Sequence, residues 1–108
     1  MAVVKRYKFQ ALVTLHAASD GQPRPELGPA PRRMVLRGRS GDTGHSELFS
    51  VLISCDNDRA LGPGSPRAEV TLRVTGDDVA DYLGVGSQFG LWLGGQVGEG
   101  VVTRRLFV

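Results

Sequence analysis

The chain has a single cysteine, Cys55, which excludes an internal disulfide framework and a thiolate metal cluster within one chain. It also lacks any run of about 18 apolar residues, the length a bilayer-spanning helix needs. No Gly-x-x-x-x-Gly-Lys-Ser/Thr loop is present, so nothing could cradle nucleotide phosphates in the usual way. No long helical pattern appears anywhere. Lysine is nearly missing as well: Lys5 and Lys8 are the only lysines among 13 basic residues, which face 11 acidic ones for a net charge of +2. That excess is mild, and its arginine bias fits GC-rich codons better than adaptation to nucleic acid, although a polyanion partner stays open.

The first residues, Met1-Ala2-Val3-Val4-Lys5-Arg6, place charge after the apolar residues with no apolar segment following, unlike a secretory signal. A cytoplasmic protein without membrane association is expected. At 108 residues, with 41% hydrophobic and 22% charged residues, the chain has the size and balance of one globular domain over residues 1–108.

What is present is strand pattern. From about Arg6 to Ala17, Tyr7, Phe9, Ala11, Val13 and Leu15 face one way, and Lys8, Gln10, Thr14 and His16 the other. Asp20-Gly21 then opens a stretch holding Pro23, Pro25, Pro29 and Pro31, which reads as a surface loop. The second strand, about Arg32 to Arg39, sets Met34 and Leu36 opposite Arg33, Val35, Arg37 and Arg39. After the turn formers of residues 40–44, Phe49, Val51 and Ile53 alternate within Glu47 to Ser54, with Leu48 and Leu52 making the other face partly apolar too. Val70, Leu72 and Val74 mark a fourth strand. Residues 76–86 hold either one helical turn capped by Asp77 or Asp78, or an irregular connection. Last, Phe89, Leu91 and Leu93 alternate with Gly90 and Trp92, Gly94-Gly95 supplies the positive φ of a tight hairpin, and a closing strand runs on through Val102. Six short strands with Gly and Pro between them indicate an all-β sandwich or small barrel.

Three stretches carry a family resemblance. Tyr7-Lys8-Phe9-Gln10-Ala11-Leu12-Val13, Pro31-Arg32-Arg33-Met34-Val35-Leu36-Arg37 and Val97-Gly98-Glu99-Gly100-Val101-Val102 occur in an order and spacing that resembles the third, C-terminal domain of translation elongation factor Tu. The resemblance covers about Arg6 to Leu106, with residues 38–86 matching only in strand order and turn placement. It implies an all-β, closed six-stranded Greek-key barrel in which Gly98 and Gly100 permit close backbone approach. In the family a GTPase domain and a second barrel precede this domain, whereas here the barrel pattern starts near Met1. With no phosphate loop, no GTP binding by this chain is expected. The family also contacts aminoacyl-tRNA near a Gly-Gly-Arg-Thr turn. Gly94-Gly95-Gln96-Val97 lacks that arginine and one residue, which argues against simple transfer of tRNA binding.

Candidate chemistry is thin. Cys55, His16, His45 and the aspartates 56 and 58 could make a Cys-His-Asp set only if the fold gathered them, and Cys55 at a strand end reads more simply as a small buried side chain. Asp56-Asn57-Asp58 lacks the glycine and distant glutamate of a calcium loop and suits an Asx turn. Gly95-x-x-Gly98-x-Gly100 precedes a strand rather than a helix and carries no cofactor. No catalytic residue, metal or cofactor is assigned.

Trp92 remains. With its neighbours facing the core it points outward, either as a contact surface with Gly95 and Gln96 beside it or covered by the loop at 23–31. Arg33, Arg37 and Arg39 lie on one face of one strand, spaced by four and two residues, as Arg6 and Lys8 lie two apart on another, and could track phosphates if those strands were neighbours. Against this stand Glu69, Asp77, Asp78 and Asp81. The expected function is a standalone, non-enzymatic binding module that contacts a protein or self-associates through Trp92. The alternative is a tRNA or other structured-RNA binder using Arg33, Arg37, Arg39, Arg104 and Arg105.

Overall fold

The computed structural model describes residues 6–16, 27–40, 44–56, 62, 67–76, 78–93 and 95–106. Alternating apolar residues produce the strands the pattern predicts: β1 (Arg6–Leu15), β2 (Arg32–Arg39), β3 (Ser46–Cys55), β4 (Ala68–Thr75), β5 (Gln88–Trp92) and β6 (Gln96–Leu106). One helical turn, α1 (Val79–Tyr82), lies between β4 and β5. Asp78 stands at its N-cap without a side-chain capping bond, and Asp77 lies outside the described residues.

The strands close into a barrel in the order β1-β4-β3-β2-β5-β6, every neighbouring pair antiparallel. Consecutive β2, β3 and β4 form a meander and β1 returns beside β4, the Greek-key arrangement. Closure leaves no open sheet edge to guard. Phe9, Ala11, Val13 and Leu15 of β1 meet Met34 and Leu36, Phe49, Val51 and Ile53, Val70, Leu72 and Val74, Phe89, Leu91, Val97 and Val102 in one core. Among the described residues that core holds no polar or charged side chain. Leu27, within the proline-rich stretch expected to be a surface loop, also enters it, and Gly28 accepts a bond from the Cys55 amide at 2.8 Å.

Two glycines of β6 let the barrel close. A Cβ on Gly98 would stand 2.7 Å from the Thr14 carbonyl oxygen, and one on Gly100 would stand 2.6 Å from Phe89 Cζ and 2.7 Å from the Leu12 carbonyl oxygen. No side chain fits at either position, which is the close approach expected of a narrow barrel.

The β5–β6 hairpin departs from expectation in two respects. Leu93 does not follow Phe89 and Leu91 into the core: β5 ends at Trp92, the ladder to β6 shifts between Leu91 and Trp92, and Leu93 is 43% exposed. The extra residue of that shift is Val97 of β6, whereas Leu93 lies past the end of β5 in the turn, its amide bonded within the turn, so strand alternation no longer holds its side chain inward. Gly95 also lacks a positive φ, its carbonyl instead accepting the Leu93 amide at 2.9 Å, while Gly94 lies outside the described residues.

The joins around the barrel differ in length. β2 runs against β3 along its whole extent, from Arg32 beside Ile53 to Arg39 beside Ser46. Against β5 its ladder extends only from Val35 beside Trp92 to Arg37 beside Gly90. This short seam lies under the surface described next.

Candidate functional site

The outward residues of β2 are Arg33, Val35, Arg37 and Arg39, all exposed, as strand alternation requires. Register sets their neighbours. Val35 lies between Ser50 of β3 and Trp92 of β5, and Arg37 between Leu48 and Gly90. Gln96 of β6 completes the first row beside Trp92, and Glu99 the second beside Gly90.

Three exposed apolar side chains therefore gather around the half-buried Trp92: Val35, 39% exposed, Leu48, 61%, and Leu93, 43%. They share a groove of about 680 Å³ whose walls include Arg33, Arg37 and Gly95. Arg37 lies over the Trp92 ring, its guanidinium carbon 6.0 Å from the ring centroid, at the outer limit of a cation–π contact. The indole Nε1 is buried and has no hydrogen-bond partner. It folds back over Gly90, where the missing side chain leaves room. Beyond Arg37 a second trough of about 530 Å³ is lined by Arg39, Gln88, Gln96 and Glu99.

Of the predicted protein-binding residues, Trp92 and Gly95 line the apolar groove, and Gln96 lies beside it on the outer face. Leu48, Val35 and Leu93 were not singled out. A leucine on the polar face of β3 and a valine among the arginines of β2 were the available signals. Of the loop at 23–31, the expected alternative cover for Trp92, residues 23–26 lie outside the described residues, while Leu27 enters the core and Gly28 accepts the Cys55 amide.

The arginines do not form one surface. Arg33, Arg37 and Arg39 form a stripe on β2, whereas Arg104 and Arg105 lie on β6 opposite Gln10 and Phe9 of β1, with Arg105 over the Tyr7 ring at 5.2 Å. β1 neighbours β4 and β6 and not β2, so Arg6 and Lys8 do not extend the stripe.

The Cys-His-Asp set is not assembled either. His45 and Cys55 stand at opposite ends of β3, about 30 Å apart along an extended chain. Each histidine faces a glutamate: His16 approaches Glu99 at 3.9 Å and His45 approaches Glu47 at 3.7 Å. The Cys55 thiol is buried and directed at the Glu69 carbonyl, 3.9 Å away. Asp56 accepts bonds from Thr71 Oγ1 at 2.7 Å and Gln10 Nε2 at 3.3 Å, which tie the end of β3 to β4 and β1, while Asp58 lies outside the described residues.

Beside the helical turn, the half-buried Tyr82 packs edge-on to Phe49 at 5.6 Å. Burial, with the nearby carboxylates of Glu47, Asp78 and Asp81, pushes its phenol above the usual 10.0. No described helix is long and apolar enough to cross a membrane. In comparison with known proteins, the chain matches no family model and no curated sequence.

Proposed function

We propose that this chain is a cytoplasmic, non-enzymatic binding module, akin to the third domain of elongation factor Tu, that docks a protein at the Trp92 groove. One observation carries this: Val35, Leu48, Trp92 and Leu93 lie together on the outside of a closed barrel, bordered by arginines. A contiguous apolar patch with a polar border is the surface type that marks protein contacts, and Trp and Arg are residues that dominate them energetically. The Greek-key barrel is the fold the elongation-factor resemblance implies, and the separation of Cys55 from His45 favours binding over catalysis.

The test is capture of partners from lysate by the immobilised chain, with and without nuclease. A partner that survives nuclease and is lost with both Leu48→Ser and Trp92→Ser is expected. If both variants fold, by circular dichroism, yet retain every partner and the same oligomeric state, the groove is not the docking site.

The stripe of Arg33, Arg37 and Arg39 supports a second reading, structured-RNA binding, to which Arg104 and Arg105 would contribute from a separate strand. Phosphate-driven association is strongest at low salt. Absence of tRNA binding at about 20 mM salt, where such contacts are least screened, would end that reading.

A further inference from the structure

We propose that the Trp92 groove takes an extended acidic segment of a partner protein, in which one large apolar residue has a carboxylate two positions away on either side. This rests on the protein-docking reading and specifies the partner's chemistry.

The groove is asymmetric in charge. Arg33 and Arg37 are in its wall, and no aspartate or glutamate is among its lining residues within the described part of the chain. Neither arginine has a carboxylate partner among the described residues. The acids closest in register lie elsewhere. Glu99 lines the second trough beyond Arg37, and Glu47 is opposite Gly38 and pairs with His45. Two cations without a carboxylate partner among the described residues, beside an apolar floor, favour an occupant that brings its own carboxylates, because such complementarity selects partners and excludes basic ones.

Spacing then fixes the pattern. Arg33, Val35 and Arg37 are alternate residues of one strand, so the two arginines stand about 13 Å apart along β2 with Val35 midway. An extended peptide lying along β2 repeats that spacing at its own positions i, i+2 and i+4. Its central apolar side chain meets Val35, Leu48, Trp92 and Leu93 while its outer carboxylates reach Arg33 and Arg37. Arg37 is already held over the indole, and an arginine stacked on a ring keeps N–H donors for a carboxylate. A second copy of the chain is a poor occupant: its acid-x-apolar-x-acid stretch, Asp77 to Asp81, centres on Val79, which is buried in the core and part of α1.

The probe is a fluorescein-labelled peptide, Ser-Glu-Ser-Leu-Ser-Glu-Ser, followed by anisotropy at low salt with the Trp92 emission as a second readout. The comparison peptide, Ser-Ser-Glu-Leu-Glu-Ser-Ser, has the same composition with its carboxylates moved next to the leucine. The first is expected to bind at least about tenfold more tightly than the second. An Arg33→Glu, Arg37→Glu double variant should lose at least about tenfold for the acidic peptide and prefer its lysine counterpart. Equal binding of the two acidic peptides, or no binding up to about 1 mM, overturns the inference. If lysate capture still depends on Leu48 in that case, protein docking stands and only the acidic segment falls. Retention of every partner by the folded Leu48→Ser and Trp92→Ser variants overturns protein docking itself, and nuclease-sensitive capture that depends on Arg33 and Arg37 overturns both in favour of nucleic acid.

Discussion

The indole of Trp92 lies over Gly90, its Nε1 3.4 Å from the point a Cβ on Gly90 would occupy. The two residues are alternate positions of β5 on the outer face, so the glycine supplies the space in which the ring lies flat enough to form the groove floor. Gly90→Val should lift the ring, shift the emission of the only tryptophan to longer wavelength and cost about 1–3 kcal/mol in urea unfolding. Gly90→Ala adds a Cβ at ordinary contact distances and should leave the emission nearly unchanged. An unaltered spectrum in Gly90→Val would show that the ring does not depend on this space.

Gly98 and Gly100 present the opposite case, where an added Cβ meets backbone oxygen as well as core side chains. Gly100→Ala would set its methyl 2.7 Å from the Leu12 carbonyl oxygen, and Gly98→Ala 2.7 Å from that of Thr14. Each should lower stability by about 1–3 kcal/mol, because β1 and β6 must move apart. Gly95→Ala, with nothing within 4 Å, should stay within about 0.5 kcal/mol. Urea midpoints of the three variants decide it, and equal midpoints would contradict the tight closure.

Tyr82 gives the fold a dependence on alkaline pH. Its phenol is held above 10.0 by burial first and then by Glu47, Asp78 and Asp81, so the folded chain favours the neutral form. Above the ordinary tyrosine value the unfolded chain releases this proton more readily, and stability falls as pH rises. Tyr82→Phe should flatten that decline while leaving the slope at neutral pH unchanged. Urea unfolding between pH 8 and pH 11 measures it, and parallel curves for the two proteins would refute the assignment.

The barrel was legible wherever alternation was strict. β1, β2 and β4 each put their apolar set inward as their spelling requires, and Gly98 and Gly100 marked the close approach of β6 to β1. Closure order was not readable from periodicity, because pairing partners depend on contacts far apart in sequence; the family resemblance implied a closed Greek-key barrel but gave no strand order. The groove was legible at Trp92 and not at Leu93, whose exposure follows from β5 ending at Trp92, one residue before the alternation of Phe89, Leu91 and Leu93 suggests. Leu48 was visible as an apolar residue on the wrong face of β3, but its proximity to Trp92 required knowing that β2 lies between β3 and β5.

The β2–β5 seam should be the barrel's easiest place to open. β1 holds β4 from Arg6 beside Thr75 to Val13 beside Ala68, whereas β2 holds β5 only between Val35 and Arg37. Fewer cooperative backbone bonds must break at the seam, and the groove above it gives water access to the same residues. Amides of β5 should therefore exchange at least about tenfold faster than those of Phe9, Ala11 and Val13, reflecting an opening energy lower by about 1.4 kcal/mol or more. Occupation of the groove by the acidic peptide bridges β2 and Trp92 and should slow β5 exchange in proportion to binding. Hydrogen exchange read residue by residue tests both parts. Uniform protection around the barrel would show that the short ladder is no weaker than the others, and unchanged β5 exchange at saturating peptide would separate the groove from the seam.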